Sequence, residues 1–134
     1  MDTGAFYALA DADDEHHDEA IAVAAQLRSR RLPAFTTAFV VAESHALLLA
    51  RLGPDAARTW LARLSVPIEP VETSDWSRAT DMVRQHTDKD YTLTDALSFA
   101  VMARTGATDA FAFDRHFHQA GFRLHRAKVS VVAR

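Results

Sequence analysis

The stretch YTLTDALSFAVMARTGATDAFAFD, residues 91–114, predicts an α-helix followed by a buried β-strand. Apolar residues recur at helical spacing over 94–104, and Gly106 is a typical helix terminator. The apolar run 110–113 is typical of a strand that is buried on both faces, and it ends at Asp114. A buried strand that follows a helix predicts a sheet with helices packed against it.

The same alternation of helices and short strands extends over the rest of the chain. Apolar spacing predicts further helices over 14–31, 38–51, 55–64 and 73–86, and strands over 32–37 and 66–71. We therefore expect an α/β fold, a three-layer α/β/α sandwich with a central, mostly parallel sheet. Because the chain is short and contains no linker, we expect residues 1–134 to form a single domain.

The composition excludes several classes of protein. Hydrophobic residues make up 49% of the chain and charged residues 25%, which is typical of a globular protein and excludes a disordered one. No apolar run is long enough to span a membrane and no signal peptide is recognisable, so we expect a soluble, cytoplasmic protein. The absence of cysteine excludes disulfides, thiolate zinc sites and cysteine nucleophiles.

The net charge of -3 hides an uneven distribution of charge along the chain. Residues 1–27 contain seven acids and no Lys or Arg, whereas residues 115–134 contain five bases and no acid. The basic end is suited to contact with a polyanion. The alternative is that both runs are solvated surface.

Four carboxylates lie at positions that the predicted elements make informative: Asp2, Glu43, Asp95 and Asp114. Glu43 shares a helix face with apolar residues three before and four after it, which predicts a buried carboxylate that needs a partner. Asp95 is in the first turn of its helix, and Asp114 is at the carboxyl end of a strand, where parallel sheets bind ligands. Alternatively, Asp2 and Asp95 are helix caps and Asp114 begins a turn.

Together, four acids from four separate elements would repel one another unless a divalent cation neutralised them. Oxygen ligands without histidine or cysteine favour Mg²⁺ or Mn²⁺ over zinc. Zinc is disfavoured further because adjacent or alternating histidines, such as those at 16–17 and 116–118, do not face one metal on a helix. A Ser–His–Asp hydrolase is disfavoured because the chain has no Gly-x-Ser-x-Gly segment.

Four segments of the chain resemble the PIN-domain ribonucleases, and most of all the VapC toxins of bacterial toxin–antitoxin pairs. They are MDTGAFYAL, VVAESHALLLARLG, YTLTDALSFAVMARTG and AFAFDRHFHQAGF, and the resemblance covers nearly the whole chain. It implies an endoribonuclease, a hydrolase in which Asp2, Glu43, Asp95 and Asp114 bind Mg²⁺ or Mn²⁺ and water attacks an RNA phosphodiester bond. It also implies a tRNA or rRNA substrate, a small VapB-like antitoxin that covers the site, and a homodimer.

Three further positions are candidates for contact with substrate. Thr3 matches the hydroxyl that follows the first acid in this family, where it supports a carboxylate or a water at the metal. Arg115 and His116 directly follow Asp114, so we expect them near the scissile phosphate, the alternative being exposure at the surface. Asp90 is near the site in sequence and ranks below the four acids.

Two features depart from the family pattern. Only Met1 precedes Asp2, where family members have several apolar residues that form the first strand. We therefore expect a first strand that is short or missing, either because residues are absent before Met1 or because the strand is nearly lost. A Ser or Thr that often lies two residues before the last acid is Ala112 here, from which we expect weaker metal binding.

Two other functions remain open from the sequence alone. A PIN-domain nuclease that processes RNA without an antitoxin would use the same four acids. A non-catalytic binding module would keep the fold but would show no metal-dependent cleavage. Cleavage that requires a metal and is abolished by Asp95→Asn distinguishes a nuclease from a binding module.

Overall fold

The computed structural model describes residues 1–127, which form seven helices and two short strands. In chain order they are α1 (Thr3–Ala10), α2 (His17–Ser29), α3 (Ala38–Leu52), α4 (Pro54–Arg63), α5 (Thr73–Gln85), α6 (Leu93–Thr105), β1 (Asp109–Ala110), α7 (His116–Gln119) and β2 (Arg123–Leu124). The helices expected from apolar spacing are confirmed to within a few residues at each end. Within the described residues, none of the helices has the length and apolarity that a membrane span requires.

The strands are parallel, as expected, but much shorter than the sequence predicts. β1 and β2 pair in parallel over two residues, and Thr36 forms a parallel bridge to Ile68. The predicted strand lengths over 32–37, 66–71 and 110–113 are therefore wrong. Three prolines in the first two of these segments have no amide hydrogen to donate, which limits strand pairing there.

Residues 1–2 lie between these two pairs and join them into one sheet. The Met1 ammonium donates a hydrogen bond to the Phe35 carbonyl at 2.7 Å, and the Asp2 amide donates to the Phe111 carbonyl at 3.0 Å. Successive residues thus bond to opposite neighbours, as in the central strand of a sheet. The extended segments lie in the order 67–69, 35–36, 1–2, 109–111 and 123–125. The prediction of a short or missing first strand is confirmed, because its described part is two residues long.

Helices cover both faces of this sheet. Phe111 packs on one face against α1 and α2, in a cluster that includes Ala5. Its neighbours Ala110 and Ala112 pack on the other face against Phe99 of α6. Side chains of successive extended residues point to opposite faces, so residues 110–112 contact both helical layers. The three-layer α/β/α sandwich is confirmed.

Candidate metal centre

Asp95 is fixed in the first turn of α6 by a capping box. The Thr92 hydroxyl accepts a hydrogen bond from the Asp95 amide at 3.1 Å, and the Asp95 Oδ2 accepts one from the Thr92 amide at 3.2 Å. The helix-cap explanation of Asp95 is therefore correct, but incomplete. The residue is only 6% exposed, and its Oδ1 accepts no hydrogen bond from residues 1–127. That oxygen is free to bind a cation.

Asp114 lies where the extended segment after β1 ends, and it connects this segment to His116. The Asp114 Oδ1 accepts a hydrogen bond from the His116 amide at 3.0 Å, which forms the turn that was the alternative explanation of this acid. The His116 Nδ1 lies 2.9 Å from the Asp95 Oδ2. The Tyr91 ring packs edge-on against the imidazole, with 5.6 Å between the ring centroids. His116 thus bridges the two acids.

Asp95, Asp114 and His116 form a group with the spacing of metal ligands. One donor atom from each of the three lies within 4.8 Å of the others. The sequence predicts that carboxylates alone meet at this point and that His116 lies near the scissile phosphate. The structure adds an imidazole nitrogen to the group, because the turn at Asp114 directs His116 toward the start of α6.

Asp2 belongs to the same cluster through its charge. It is 5% exposed and precedes α1 as the N-cap residue, but its side chain makes no capping hydrogen bond. The pKa of Asp2 is raised to about 7, and burial is the largest cause. The negative charges of Asp114, Asp95 and Glu43 also raise this pKa, with Asp114 the strongest of the three, whereas the hydrogen bond from the Thr3 amide lowers it. Every charged side chain that shifts this pKa is a carboxylate. The site therefore concentrates negative charge around a buried acid.

Glu43 lies at the edge of the cluster, and the prediction that it is buried is wrong. The buried stripe of α3 consists of Val40, Ser44 and Leu48, which are four residues apart. Glu43 is rotated by about 100° from Ser44 on the helix, which turns it out of this stripe. Its side chain is exposed, and its charge still contributes to the raised pKa of Asp2.

The other candidate residues surround the acids. The Thr3 hydroxyl is buried and has no hydrogen-bond partner in residues 1–127, so it is available to a bound group. Arg115 and Asp90 are both exposed. Both line a cleft of about 410 Å³ that includes Asp114 and Lys89.

The basic end of the chain is less positive than the sequence count suggests. Arg123 pairs with Asp109 at 3.0 Å, and Arg126 pairs with Glu19 at 3.2 Å. Lys128 and Arg134, which contribute to the basic run in the sequence, lie outside the described residues. Arg115 lies beside the acidic cluster, in the cleft that Asp114 also lines.

Asp75 is a second buried acid, and it is not among the acids predicted from the sequence. It is 1% exposed in the first turn of α5, where its carboxylate accepts a hydrogen bond from the Glu72 amide at 2.9 Å. The Arg104 Nε donates to both of its oxygens, at 3.1 and 3.0 Å. The spacing Glu72-x-x-Asp75 is a capping-box signal that could have identified this acid, although not its arginine partner.

Comparison with known proteins identifies the family. The model of the PIN domain matches residues 1–123. The 23S rRNA-specific endonuclease VapC20 of two Mycobacterium tuberculosis strains, CDC 1551 / Oshkosh and H37Rv, is 36% identical over 126 residues, which cover 91% of this chain and 93% of the relative. The crystal structure of M. tuberculosis VapC20, a sarcin–ricin loop cleaving toxin, matches with a TM-score of 0.83 and 35% identity over 93% of this chain and 96% of that chain. The chain therefore belongs to the PIN domain family, and its identification as a PIN-domain ribonuclease of the VapC type is confirmed.

Proposed function

We propose that this chain is a metal-dependent endoribonuclease that acts in the cytoplasm as the toxin of a VapBC-type toxin–antitoxin pair. The observation that carries the proposal is the group of carboxylates around Asp2, whose pKa is raised to about 7 by burial and by the neighbouring acids. Acids that repel one another in this way are a typical site for a divalent cation. Family membership and the similarity to VapC20 support the nuclease activity.

The donor atoms fit Mg²⁺, with Mn²⁺ as a substitute. Asp95 and Asp114 offer carboxylate oxygens close together. The charges of these two acids and of Glu43 raise the pKa of Asp2, so all four acids belong to one negatively charged cluster. Hard oxygen ligands are the ones that Mg²⁺ prefers. The His116 Nδ1 already contacts Asp95, so we assign the imidazole to the positioning of that acid rather than to the metal.

Asp95 and Asp114 would hold a divalent cation, which would lower the pKa of an attacking water and neutralise charge that develops on the phosphate. The residues of this chain position the reacting groups and remove a proton from the attacking water. Asp95 keeps a free Oδ1 while its Oδ2 is held by Thr92 and His116. The Glu43 side chain makes no hydrogen bond within residues 1–127 and is exposed beside the cluster, so we assign to it the role of base that takes the proton from the attacking water.

The cleft beside Asp114 is our candidate for the RNA backbone. Arg115 and Lys89 line it, and both side chains can contact phosphates. The Thr3 hydroxyl, which is buried next to Asp2 and has no partner among residues 1–127, would donate a hydrogen bond to a group held by that acid. We propose rRNA rather than tRNA as the substrate, because relatives that match most of this chain are named as 23S rRNA-specific endonucleases.

The test is a cleavage assay on ribosomes, free 23S rRNA and bulk tRNA, with primer extension to map the cuts. We expect cleavage of the 23S rRNA at one position, with Mg²⁺ required and a 5′-phosphate on the downstream product. Asp114→Asn should abolish it. Asp109→Asn, at the other end of the same extended segment and paired with Arg123, should not. Cleavage that persists in excess chelator would contradict the metal mechanism, and cleavage of tRNA alone would contradict the substrate.

We also propose a VapB-like antitoxin and a homodimer as the partners of this chain. Large apolar side chains are exposed on α3 and α4, among them Leu49, Leu52 and Leu61, and these helices are suited to protein contacts. Expression from the native operon, followed by affinity purification and light scattering, tests both partners. We expect a small antitoxin to co-purify with the chain, and we expect light scattering to give the mass of a dimer. Purification of the active chain without such a partner would favour an RNA-processing nuclease instead.

A further inference from the structure

Three exposed arginines lie at the C-terminal end of α2, and we call them the arginine cluster: Arg28, Arg30 and Arg31. None of them forms an ion pair with a carboxylate of residues 1–127. Residues 128–134 contain no Asp or Glu. Three positive charges within four residues thus remain without an acidic partner in the described part of the chain.

Arg31 has a backbone conformation that favours glycine. Its φ is +52°, in the left-handed region. This conformation closes a Schellman motif, in which the Leu32 amide donates to the Leu27 carbonyl at 2.9 Å. In the same motif the Arg31 amide donates to the Arg28 carbonyl at 3.1 Å. The motif accounts for the left-handed backbone but not for the arginine, because a side chain is strained in this region.

Two other helices of the protein end with the same long hydrogen bond and have glycine at this position. At the end of α6 the Ala107 amide donates to the Met102 carbonyl, and the residue before it, Gly106, has a φ of +79°. At the end of α7 the Phe122 amide donates five residues back, and Gly121 before it has a φ of +95°. Since glycine would relieve the strain at the end of α2, the benefit of an arginine there must come from its side chain.

The arginine cluster is remote from the cleft beside the candidate metal centre. Helix α2 begins at this cleft, because the His16 imidazole stacks on the Phe113 ring, with 4.5 Å between the centroids, and Phe113 lines the cleft. The 13 residues of α2 place the cluster about 20 Å away from this point. Along one strand of a duplex, that distance corresponds to about six phosphates. A structured RNA held at the cleft is long enough to reach the arginines.

We propose that the arginine cluster is a second RNA-binding site, which holds backbone phosphates about six nucleotides from the bond that is cut. Guanidinium groups bind phosphates through charge and paired hydrogen bonds. The run 28–31 has no apolar side chain, which suits phosphates better than a protein interface, whose centre is apolar. The choice of RNA as the ligand rests on the proposed nuclease function, and the site itself is separate from the acids that would carry out the cleavage.

The test measures RNA binding in the presence of chelator, by fluorescence anisotropy of a labelled stem–loop with the sarcin–ricin sequence. Glutamine at all three positions of the cluster should raise the dissociation constant at least about 10-fold at about 0.1 M salt. It should also reduce the slope of log affinity against log salt by about two to three, because that many phosphate contacts are lost. An unchanged dissociation constant and slope overturn the proposal. Since this assay needs no cleavage, its outcome is distinguishable from a failure of the nuclease function.

The control removes the same charge elsewhere, by glutamine at three other exposed arginines, Arg58, Arg63 and Arg84. Two of these also lie in the last turn of a helix, Arg63 in α4 and Arg84 in α5. The control should change the dissociation constant by less than about threefold, and an effect equal to that of the cluster overturns a specific site. Lysine at the three positions of the cluster keeps the charge and should retain most of the affinity.

Arg31→Gly separates the side chain from the backbone, because the two should change in opposite senses. We expect the melting temperature to rise by about 2–4 °C, since glycine relieves the strain. We expect the dissociation constant for the stem–loop to rise by about threefold. A higher melting temperature with unchanged RNA binding overturns the assignment of Arg31. If glutamine at all three positions preserves RNA binding but abolishes co-purification of a small protein from the native operon, the cluster binds protein and the proposal is overturned.

Discussion

Two buried aspartates of this protein, Asp75 and Asp95, occupy the same local structure and differ in what surrounds them. Each is in the first turn of its helix and accepts a hydrogen bond from the amide of the capping residue, at 2.9 Å for Asp75 and 3.2 Å for Asp95. Arg104 donates to both oxygens of Asp75. Asp95 instead contacts His116 and keeps one oxygen free within a cluster of acids. The local motif therefore does not decide the role of the carboxylate; its distant partner does.

Helix α6 connects the two environments. Asp95 lies in its first turn and Arg104 in its last, so one helix supplies an acid to the candidate metal centre and a base to the buried ion pair. Arg104 also donates to the Pro70 carbonyl at 2.9 Å and lies 3.3 Å from Glu72. This pairing fixes the end of α6 against α5, while the other end remains incompletely paired. The contrast predicts that substitutions at the two ends separate stability from activity.

The largest expected effect is that of Asp95→Asn on RNA cleavage. Asparagine keeps an oxygen for the capping box but removes the charge, so we expect a loss of about 10³-fold in cleavage rate, roughly 4 kcal/mol in the activation free energy. Asp75→Asn is the matched control, because it changes the same atom in the same motif. It should leave cleavage by the folded protein within about twofold of the parent. Equal losses in the two variants would contradict the assignment of Asp95 to the metal.

The next effect is on stability, at the other end of α6. Arg104→Ala leaves Asp75 buried and without its base, and we expect the free energy of unfolding to fall by about 3 kcal/mol. Urea denaturation measures this change. Arg84→Ala removes an exposed arginine that lies 3.8 Å from Asp81, and it should cost less than about 0.5 kcal/mol. A small effect of Arg104→Ala would mean that the Asp75 ion pair contributes little net stability.

In the presence of chelator, the stability of the protein should depend on pH through Asp2. Asp2 has a folded pKa of about 7 against an ordinary value of 3.8, so between these values the native state keeps a proton that the unfolded state has released. The free energy of unfolding therefore falls as pH rises through this window. Asp2→Asn removes the effect, and its stability relative to the parent should grow from near zero at pH 4 to on the order of 4 kcal/mol at pH 8.

Mg²⁺ provides the control for this prediction, because a cation at the site favours ionised Asp2. At pH 8 a saturating concentration should stabilise the parent more than Asp2→Asn, as measured by thermal unfolding. At pH 5 protons compete for the same carboxylate, and the stabilisation of the parent should be smaller. A rise in the stability of the chelated parent between pH 5 and pH 8 that Asp2→Asn abolishes would contradict the raised pKa.

Apolar spacing was sufficient to predict the helices and the layered fold, because it reflects which faces are buried. The positions of Asp95 and Asp114 at the ends of secondary-structure elements could be predicted for the same reason. The partners of the acids were not, since Arg104 is 29 residues from Asp75 and His116 is 21 residues from Asp95. The burial of Glu43 was wrongly predicted because a stripe that follows four-residue steps passes beside it. The strand lengths were wrongly predicted because the length of a strand depends on pairing with distant segments such as residues 1–2.

The smallest expected effect is that of substituting His116. Its imidazole contacts Asp95, whereas Asp75 is contacted by an arginine. His116→Ala should lower cleavage by about 10-fold and raise the Mg²⁺ concentration for half-maximal activity, because Asp95 loses a donor that orients it. His116→Asn retains a donor close to the Nδ1 position and should recover part of the loss. His118→Ala, an exposed neighbour on the same short helix, is the control and should change neither quantity. If His118→Ala reproduces the defect, α7 as a whole positions Asp95 and the imidazole is not its specific partner.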